Sequence, residues 1–161
     1  MSALQFHGGI KMNENMVRIS NVSKSYGQQR ALDQVTIPVK KGQICGLVGE
    51  NGAGKTTLLR ILCGLSFPTE GEIEVPKNLK IGSLIEAPAL YQNLSAYDNL
   101  KYLGLQRGLD QLNSRVEEVL DIIGLATVPR KKKAKNFSLG MRQRLAIGIA
   151  ILDQPDFLIL D

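Results

Sequence analysis

Long apolar runs, histidines and cysteines are scarce in this chain of 161 residues. No run approaches the roughly 18 apolar residues that a membrane-spanning helix needs. Residues 1–9 also lack the charged and then apolar pattern of a secretion signal. We therefore expect a soluble chain that is neither exported nor embedded in a membrane. The single histidine, His7, lies near the N-terminus, away from every motif described below.

The two cysteines, Cys45 and Cys63, have none of the spacings that bind a metal ion. Both have apolar neighbours in the sequence. We therefore predict two buried free thiols in a protein of a reducing compartment.

The positive net charge of the chain does not by itself identify a class of partner. The net charge is +5, and six of the 20 basic residues lie in residues 130–142. Only residues 130–135 are densely basic, and no aromatic residues alternate with them to stack on bases. We expect no nucleic-acid partner, because attraction to a nucleotide or to an anionic membrane surface explains this charge equally well. With 43% apolar residues the chain can bury the core of one globular α/β domain.

The most informative segment is the glycine-rich run from Gly49 to Thr57, with the sequence GENGAGKTT. An apolar strand pattern at residues 43–48 precedes it, and a helix pattern at residues 56–62 follows, ending at the glycine Gly64. Strand, glycine loop and helix in this order predict a phosphate-binding loop.

The residue types suit that chemistry. Glycines at 49, 52 and 54 allow backbone N–H groups to turn towards phosphate oxygens. The following helix directs its positive end at the same anion. Lys55 can reach the β- and γ-phosphates, and the Thr56 hydroxyl can ligate Mg²⁺.

The rest of the chain predicts an α/β fold. Residues 1–15 are polar and without periodicity, which predicts a flexible leader, so the domain is expected to occupy residues 16–161. Strands at residues 17–22 and 31–39, on either side of a turn at Gly27, predict an antiparallel pair. Shorter strands are expected at residues 72–75 and 80–85, and helical patterns predict a helical subdomain at about residues 90–150.

Two residues mark the ends of elements in the C-terminal half. Ser138 has the position of an N-cap for a helix that runs to about Leu152. Phe157 to Leu160 form an apolar run that predicts a buried strand of a parallel sheet. Asp161 would emerge at the carboxyl edge of that sheet, where it can hold Mg²⁺.

Together these features resemble the ATP-binding-cassette (ABC) ATPases of membrane transporters over residues 17–161. The most specific element, FSLGMRQRL at residues 137–145, is similar to the family's Leu-Ser-Gly-Gly-Gln signature and the Gln-Arg-Leu that follows it. The resemblance implies a P-loop fold with an N-terminal antiparallel part, a mostly parallel core sheet and a helical insertion. It also implies a head-to-tail dimer in which Ser138, Gly140 and Met141 face the ATP of the second subunit. Leu139 and Met141 depart from the usual glycine and glutamine, and from the residues alone Ser138 could be merely a helix cap.

The resemblance also implies the remaining site residues. Tyr26 would stack on adenine, and the alternative is an ordinary surface or core tyrosine. Glu86 takes the place of a glutamine that contacts Mg²⁺ and the attacking water, and otherwise it is an exposed loop residue. Mg²⁺ would be bound by Thr56, Glu86 and Asp161. The expected ATP-binding set is Tyr26, Gly49, Asn51, Gly52, Ala53, Gly54, Lys55, Thr56 and Thr57.

The stretch around Glu86 resembles the exporters that confer resistance or immunity to lantibiotics and bacitracin-like peptides. The implied function is therefore an ATP-hydrolysing subunit on the cytoplasmic face of the membrane, whose partners are a permease and a second ATP-binding subunit. Residues 94–107 are expected to face the permease. Family members continue past the Asp161 position with a catalytic glutamate, so we expect a fold that is incomplete after this strand and that turns ATP over poorly.

Two alternatives remain open. One is a soluble ABC-type ATPase that acts on ribosomes or DNA, and the other is a truncated gene product without catalysis. A small GTPase is disfavoured, because no guanine-reading Asn-Lys-x-Asp appears in the sequence.

Overall fold

The chain folds into two compact units, Met1–Leu79 and Lys80–Asp161. The computed structural model describes residues 5–8, 15–85 and 90–161. In the first unit the elements are β1 (Gln5–Gly8), β2 (Asn15–Tyr26), β3 (Gln29–Lys40), β4 (Cys45–Val48), α1 (Lys55–Leu62) and β5 (Glu70–Glu74). In the second unit they are β6 (Ile81–Leu84), α2 (Ala96–Gln106), α3 (Leu112–Ile122), a 3₁₀ turn (Ala134–Asn136), α4 (Leu139–Ile151) and β7 (Phe157–Leu160).

The predicted N-terminal antiparallel pair is confirmed and is the larger part of a three-stranded sheet with the order β3-β2-β5. Tyr26 pairs with Gln29 across the turn, where Gly27 has φ of +58°. Val17 and Ile19 are buried on β2, as alternation along a half-buried strand requires, and an irregularity of the strand between Ile19 and Val22 buries Val22 as well. This sheet supports the segment that follows it, the glycine-rich loop.

Strand β4 leads into that loop. It pairs antiparallel with β1, with Gln5 opposite Val48 and Gly8 opposite Cys45. A flexible leader at residues 1–15 therefore does not describe Gln5–Gly8, because backbone pairing with the open edge of β4 orders those four residues. The predicted domain limits, residues 16–161 with a helical subdomain at about 90–150, stay predictions.

The second unit has a helical core made by α2, α3 and α4. Leu100, Val116 and Leu145 are fully buried there, and each such side chain contributes about 1.5–3 kcal/mol to folding. The helices approach closely at glycines, since a Cβ on Gly148 would lie 2.7 Å from the Ile123 Cδ1 atom. No helix in the described part of the chain is long and apolar enough to cross a membrane.

Strand β7 belongs to a parallel sheet, as predicted, and its partner is β6, with Leu84 opposite Leu160. The expectation that β7 is buried on both faces is wrong. Ile159 is buried, whereas Leu158 and Leu160 are 38% and 50% exposed. Helix α4 covers one face of this pair, and a Cβ on Gly82 of β6 would lie 2.2 Å from the Ala150 carbonyl oxygen of α4.

The two thiols are free but less buried than predicted, because Cys45 and Cys63 are both only half-buried. Burial raises the pKa of the Cys45 thiol, which favours the neutral form at pH 7.

Candidate nucleotide-binding site

The glycine-rich loop has the predicted place, between β4 and α1. Gly52 and Gly54 have φ of +85° and +90°, a region that side chains disfavour. At Gly54 the packing is restrictive as well, because an added Cβ would lie 2.3 Å from the Ala31 carbonyl oxygen of β3. The loop is therefore held against β3 in a conformation that depends on glycine.

Lys55 spans this loop from the first position of α1. Its Nζ atom donates hydrogen bonds to the carbonyl oxygens of Gly49 and Glu50, both at 2.8 Å. A further bond from the Ala53 N–H to the Glu50 carbonyl, at 3.1 Å, closes a turn within the loop. The Lys55 ammonium group is thus fixed over the loop, where it would attract an anion.

The N-terminus of α1 has the electrostatics of an anion site. Gly54 is its N-cap, no side chain caps the helix, and no acidic residue lies in the first turn. The helix dipole therefore acts there without local compensation. Buried Leu58, Ile61 and Leu62 anchor the helix, which leaves Thr56 in its first turn beside the loop. The predicted C-terminal glycine is confirmed, since Gly64 follows the helix with φ of +71°.

Tyr26 belongs to the same unit and is half exposed, at 50%. The core alternative for this residue is therefore excluded. The Lys24 Nζ atom lies 5.1 Å from its ring centre. Tyr26 pairs with Gln29, two residues before Ala31, whose carbonyl oxygen lies against Gly54 of the loop. Its stacking on adenine stays a prediction.

The signature-like segment lies in the second unit, at the start of α4. Ser138 caps the helix as predicted, and its Oγ accepts a hydrogen bond from the Met141 N–H at 3.2 Å. A Cβ on Gly140 would meet nothing within 4 Å, and Leu139 is 65% exposed. This helix end is therefore open on the side of Leu139 and Gly140.

Met141 is half-buried and packs against the helical core, as suits an apolar thioether. Its contact with the ATP of a second subunit stays a prediction. The sequence reasoning missed Arg142, whose guanidinium donates to the Phe137 carbonyl at 2.5 Å. The signal was available, since an arginine four residues beyond an N-cap can reach back across one helical turn.

Asp161 directly follows β7, as predicted, and its N–H donates to the Leu84 carbonyl of β6 at 2.9 Å. Glu86, the other predicted carboxylate ligand, lies outside the described residues. Hydroxyl and carboxylate oxygens are the donors that Mg²⁺ prefers, so Thr56 and Asp161 fit this metal by chemistry. Within residues 5–8, 15–85 and 90–161, no three His, Cys, Asp or Glu side chains form a metal site by themselves.

Comparison with known proteins agrees with this arrangement. Residues 32–161 match the model of the ABC transporter family. The chain belongs to this family. It is 43% identical over 153 residues to the lantibiotic transport ATP-binding protein SrtF of Streptococcus pyogenes, covering 91% of this chain and 66% of that protein. It is 44% identical over 156 residues to the bacitracin transport ATP-binding protein BcrA of Bacillus licheniformis, covering 91% of this chain and 50% of that protein.

Solved structures of ABC ATPases share the fold. The ATP-binding cassette MJ0796, solved as a dimer in a post-hydrolysis state with ADP and Pi, matches with a TM-score of 0.73 and 27% identity, covering 91% of this chain and 73% of that one. An ATP-binding subunit of an ABC transporter matches with a TM-score of 0.75 and 26% identity, covering 91% and 65%. The α/β ABC ATPase fold is therefore confirmed. The chain spans between half and two thirds of the length of the two curated relatives named above.

Proposed function

We propose that this ABC protein chain is the ATP-binding part of a subunit that powers a membrane exporter, with an antimicrobial peptide of lantibiotic or bacitracin type as the cargo. The observation that carries the nucleotide site is the uncapped start of α1 behind a loop over which Lys55 is fixed. The names of the two relatives, one for lantibiotic and one for bacitracin transport, support the cargo.

In this proposal the loop from Gly49 to Thr57 binds the phosphates of ATP through its backbone N–H groups and through Lys55. Bound Mg²⁺ would neutralise phosphate charge, with Thr56, Glu86 and Asp161 as its protein ligands. Tyr26 would provide a stacking surface for the adenine.

A second ATP-binding subunit would complete the site. Ser138 and Gly140 lie at an open helix start with no acidic residue in its first turn, which favours contact with the γ-phosphate held by that second subunit. A permease would bind at residues 94–107, and the subunit would therefore work at the cytoplasmic face of the membrane. The post-hydrolysis dimer of MJ0796 supports the dimeric arrangement.

The nucleotide site is tested by the affinity of the full-length protein for Mg-ATP. Lys55→Ala should weaken binding by about tenfold or more, because it removes a charged donor from the phosphate site. The matched control is Lys41→Ala, an exposed lysine of the turn between β3 and β4. Equal affinities of wild type and Lys55→Ala would contradict the site.

The cargo is tested in cells that express the full-length protein together with the proposed permease. Wild type should raise the concentrations of bacitracin or of a lantibiotic that inhibit growth, and Lys55→Ala should abolish the increase. If neither compound is tolerated better and the protein instead associates with ribosomes in an RNase-sensitive way, the soluble alternative is favoured.

A further inference from the structure

Asn99 is a polar side chain at the centre of the helical core. It lies in α2 next to Leu100, and both residues are 0% exposed. An amide buried in apolar surroundings is costly unless its hydrogen bonds are made. The partners of this side chain therefore show what it holds in place.

The Asn99 amide makes three hydrogen bonds to one loop. Its Oδ1 accepts from the Tyr91 N–H at 2.9 Å, and its Nδ2 donates to the carbonyl oxygens of Tyr91 at 3.1 Å and Ser95 at 2.8 Å. Because a backbone N–H can only donate, the bond to Tyr91 also fixes which way the amide points. Asn99 thus fixes both ends of the loop from Tyr91 to Ser95.

The other side of this loop holds the segment that leads to Ser138. The Ala134 N–H donates to the Leu94 carbonyl at 2.8 Å, and the Lys135 N–H donates to the Gln92 carbonyl at 2.9 Å. Ser95 also forms an isolated antiparallel bridge with Lys133. The 3₁₀ turn Ala134–Asn136 is therefore attached to the loop that Asn99 holds.

From that turn the chain reaches the start of α4 in two residues. Phe137 is 4% exposed and so is anchored in the core. Its carbonyl accepts the bond from Arg142 of the first turn of α4. The position of Ser138 is thereby linked, through backbone hydrogen bonds, to the loop on Asn99.

We propose that Asn99 is a positioning residue for the start of α4: by fixing the Tyr91–Ser95 loop, it fixes the 3₁₀ turn that places Ser138 for contact with ATP. This inference rests on the proposed role of Ser138 in the nucleotide site. The structural link does not depend on that role, so the two can be tested separately.

Hydrogen exchange in the full-length protein tests the link without any turnover. Asn99→Leu removes all three bonds, and Asn99→Asp keeps only an acceptor for the Tyr91 N–H. In both variants the Ala134 and Lys135 amides should exchange about tenfold faster. The matched control, Asn113→Ala, removes an exposed amide that accepts from the Tyr97 hydroxyl and should leave both rates unchanged. Unchanged exchange in a folded Asn99→Asp or Asn99→Leu protein would overturn the proposal.

Turnover of Mg-ATP tests the consequence for the site. Asn99→Asp should lower kcat about tenfold and change KM less than about twofold, because the glycine loop and Lys55 belong to the other unit. In a protein that already carries Ser138→Ala, adding Asn99→Asp should lower kcat no further, since both substitutions affect the contact of Ser138 with ATP. If the two substitutions together lower kcat by the product of their separate factors, the proposal is overturned. A full-length wild-type subunit without turnover would contradict the proposed function, while the exchange experiment would still decide the structural link.

Discussion

The two helix starts that the sequence marks as anion sites are built differently. Helix α1 begins at Gly54 in a left-handed conformation, with no side-chain cap. Helix α4 begins at Ser138 in an extended conformation, and its hydroxyl caps the Met141 N–H. The α1 start thus depends on glycine conformation and tight packing, whereas the α4 start has one of its first N–H groups bonded to its own cap residue.

This difference separates binding from stability. A start without a side-chain cap offers its N–H groups to phosphate directly, while the glycine that forms it supports the fold through its conformation and packing. A capped start already contributes to the fold, so a ligand there competes with or adds to the cap. The substitutions below sharpen that contrast, beginning with the largest expected effect.

Gly54→Ala should be the most damaging. The new Cβ would lie 2.3 Å from the Ala31 carbonyl oxygen, and φ of +90° adds strain of its own, so we expect a loss of about 3 kcal/mol or more. Gly64→Ala is the matched control, because φ is +71° but nothing lies within 4 Å, and it should cost only about 1 kcal/mol. Chemical denaturation of the full-length proteins measures both losses. Equal losses would mean that packing against β3 contributes nothing at Gly54.

The C-terminal ends of α1 and α4 differ as well. The substitution Arg115→Met tests what stabilises the end of α4. Helix α1 ends at a glycine, whereas the last carbonyls of α4 accept from arginines. Arg115 of α3 is 13% exposed and donates to the Ile151 and Leu152 carbonyls at 2.6 and 2.9 Å. Its loss should cost about 2 kcal/mol, because charged donors satisfy two helix-end carbonyls.

Arg107→Met is the control for Arg115→Met. Within the described part of the chain the Arg107 side chain donates only to the Ile149 carbonyl, at 3.1 Å, and its substitution should cost about 1 kcal/mol or less. Unfolding free energies of the two variants in the same full-length protein give the comparison. A larger loss for Arg107→Met would show that these bonds do not stabilise the end of α4.

Local signals made the helix starts predictable. The order of strand, glycine loop and lysine identified the phosphate loop, and Ser138 caps the helix expected after it. Such features depend on residues a few positions apart, whose geometry the backbone nearly fixes. The antiparallel pair of β2 and β3 was predictable for the same reason.

Contacts between distant segments were not predictable. The pairing of β4 with β1 depends on which strand edge is open, and the exposure of Leu158 and Leu160 depends on which face α4 covers. The role of Asn99 was hidden too, since one asparagine in a helix pattern gives no sign that it will bond to Tyr91. These outcomes depend on packing between residues that are far apart in the sequence. Local sequence patterns carry no information about such contacts.

Ser138 gives the smallest effect and the sharpest test of the contrast. Ser138→Ala removes the cap of α4 and should cost about 1 kcal/mol of stability. Ser138→Asn retains a capping side chain and should be nearly as stable as wild type, while it replaces the hydroxyl that would meet the γ-phosphate. Denaturation together with ATP-dependent dimerisation of the full-length protein separates the two roles. If Ser138→Asn keeps both stability and dimerisation, the hydroxyl acts only as a helix cap. If dimerisation alone is lost, the self-capped start of α4 also binds nucleotide, as the open start of α1 is proposed to do.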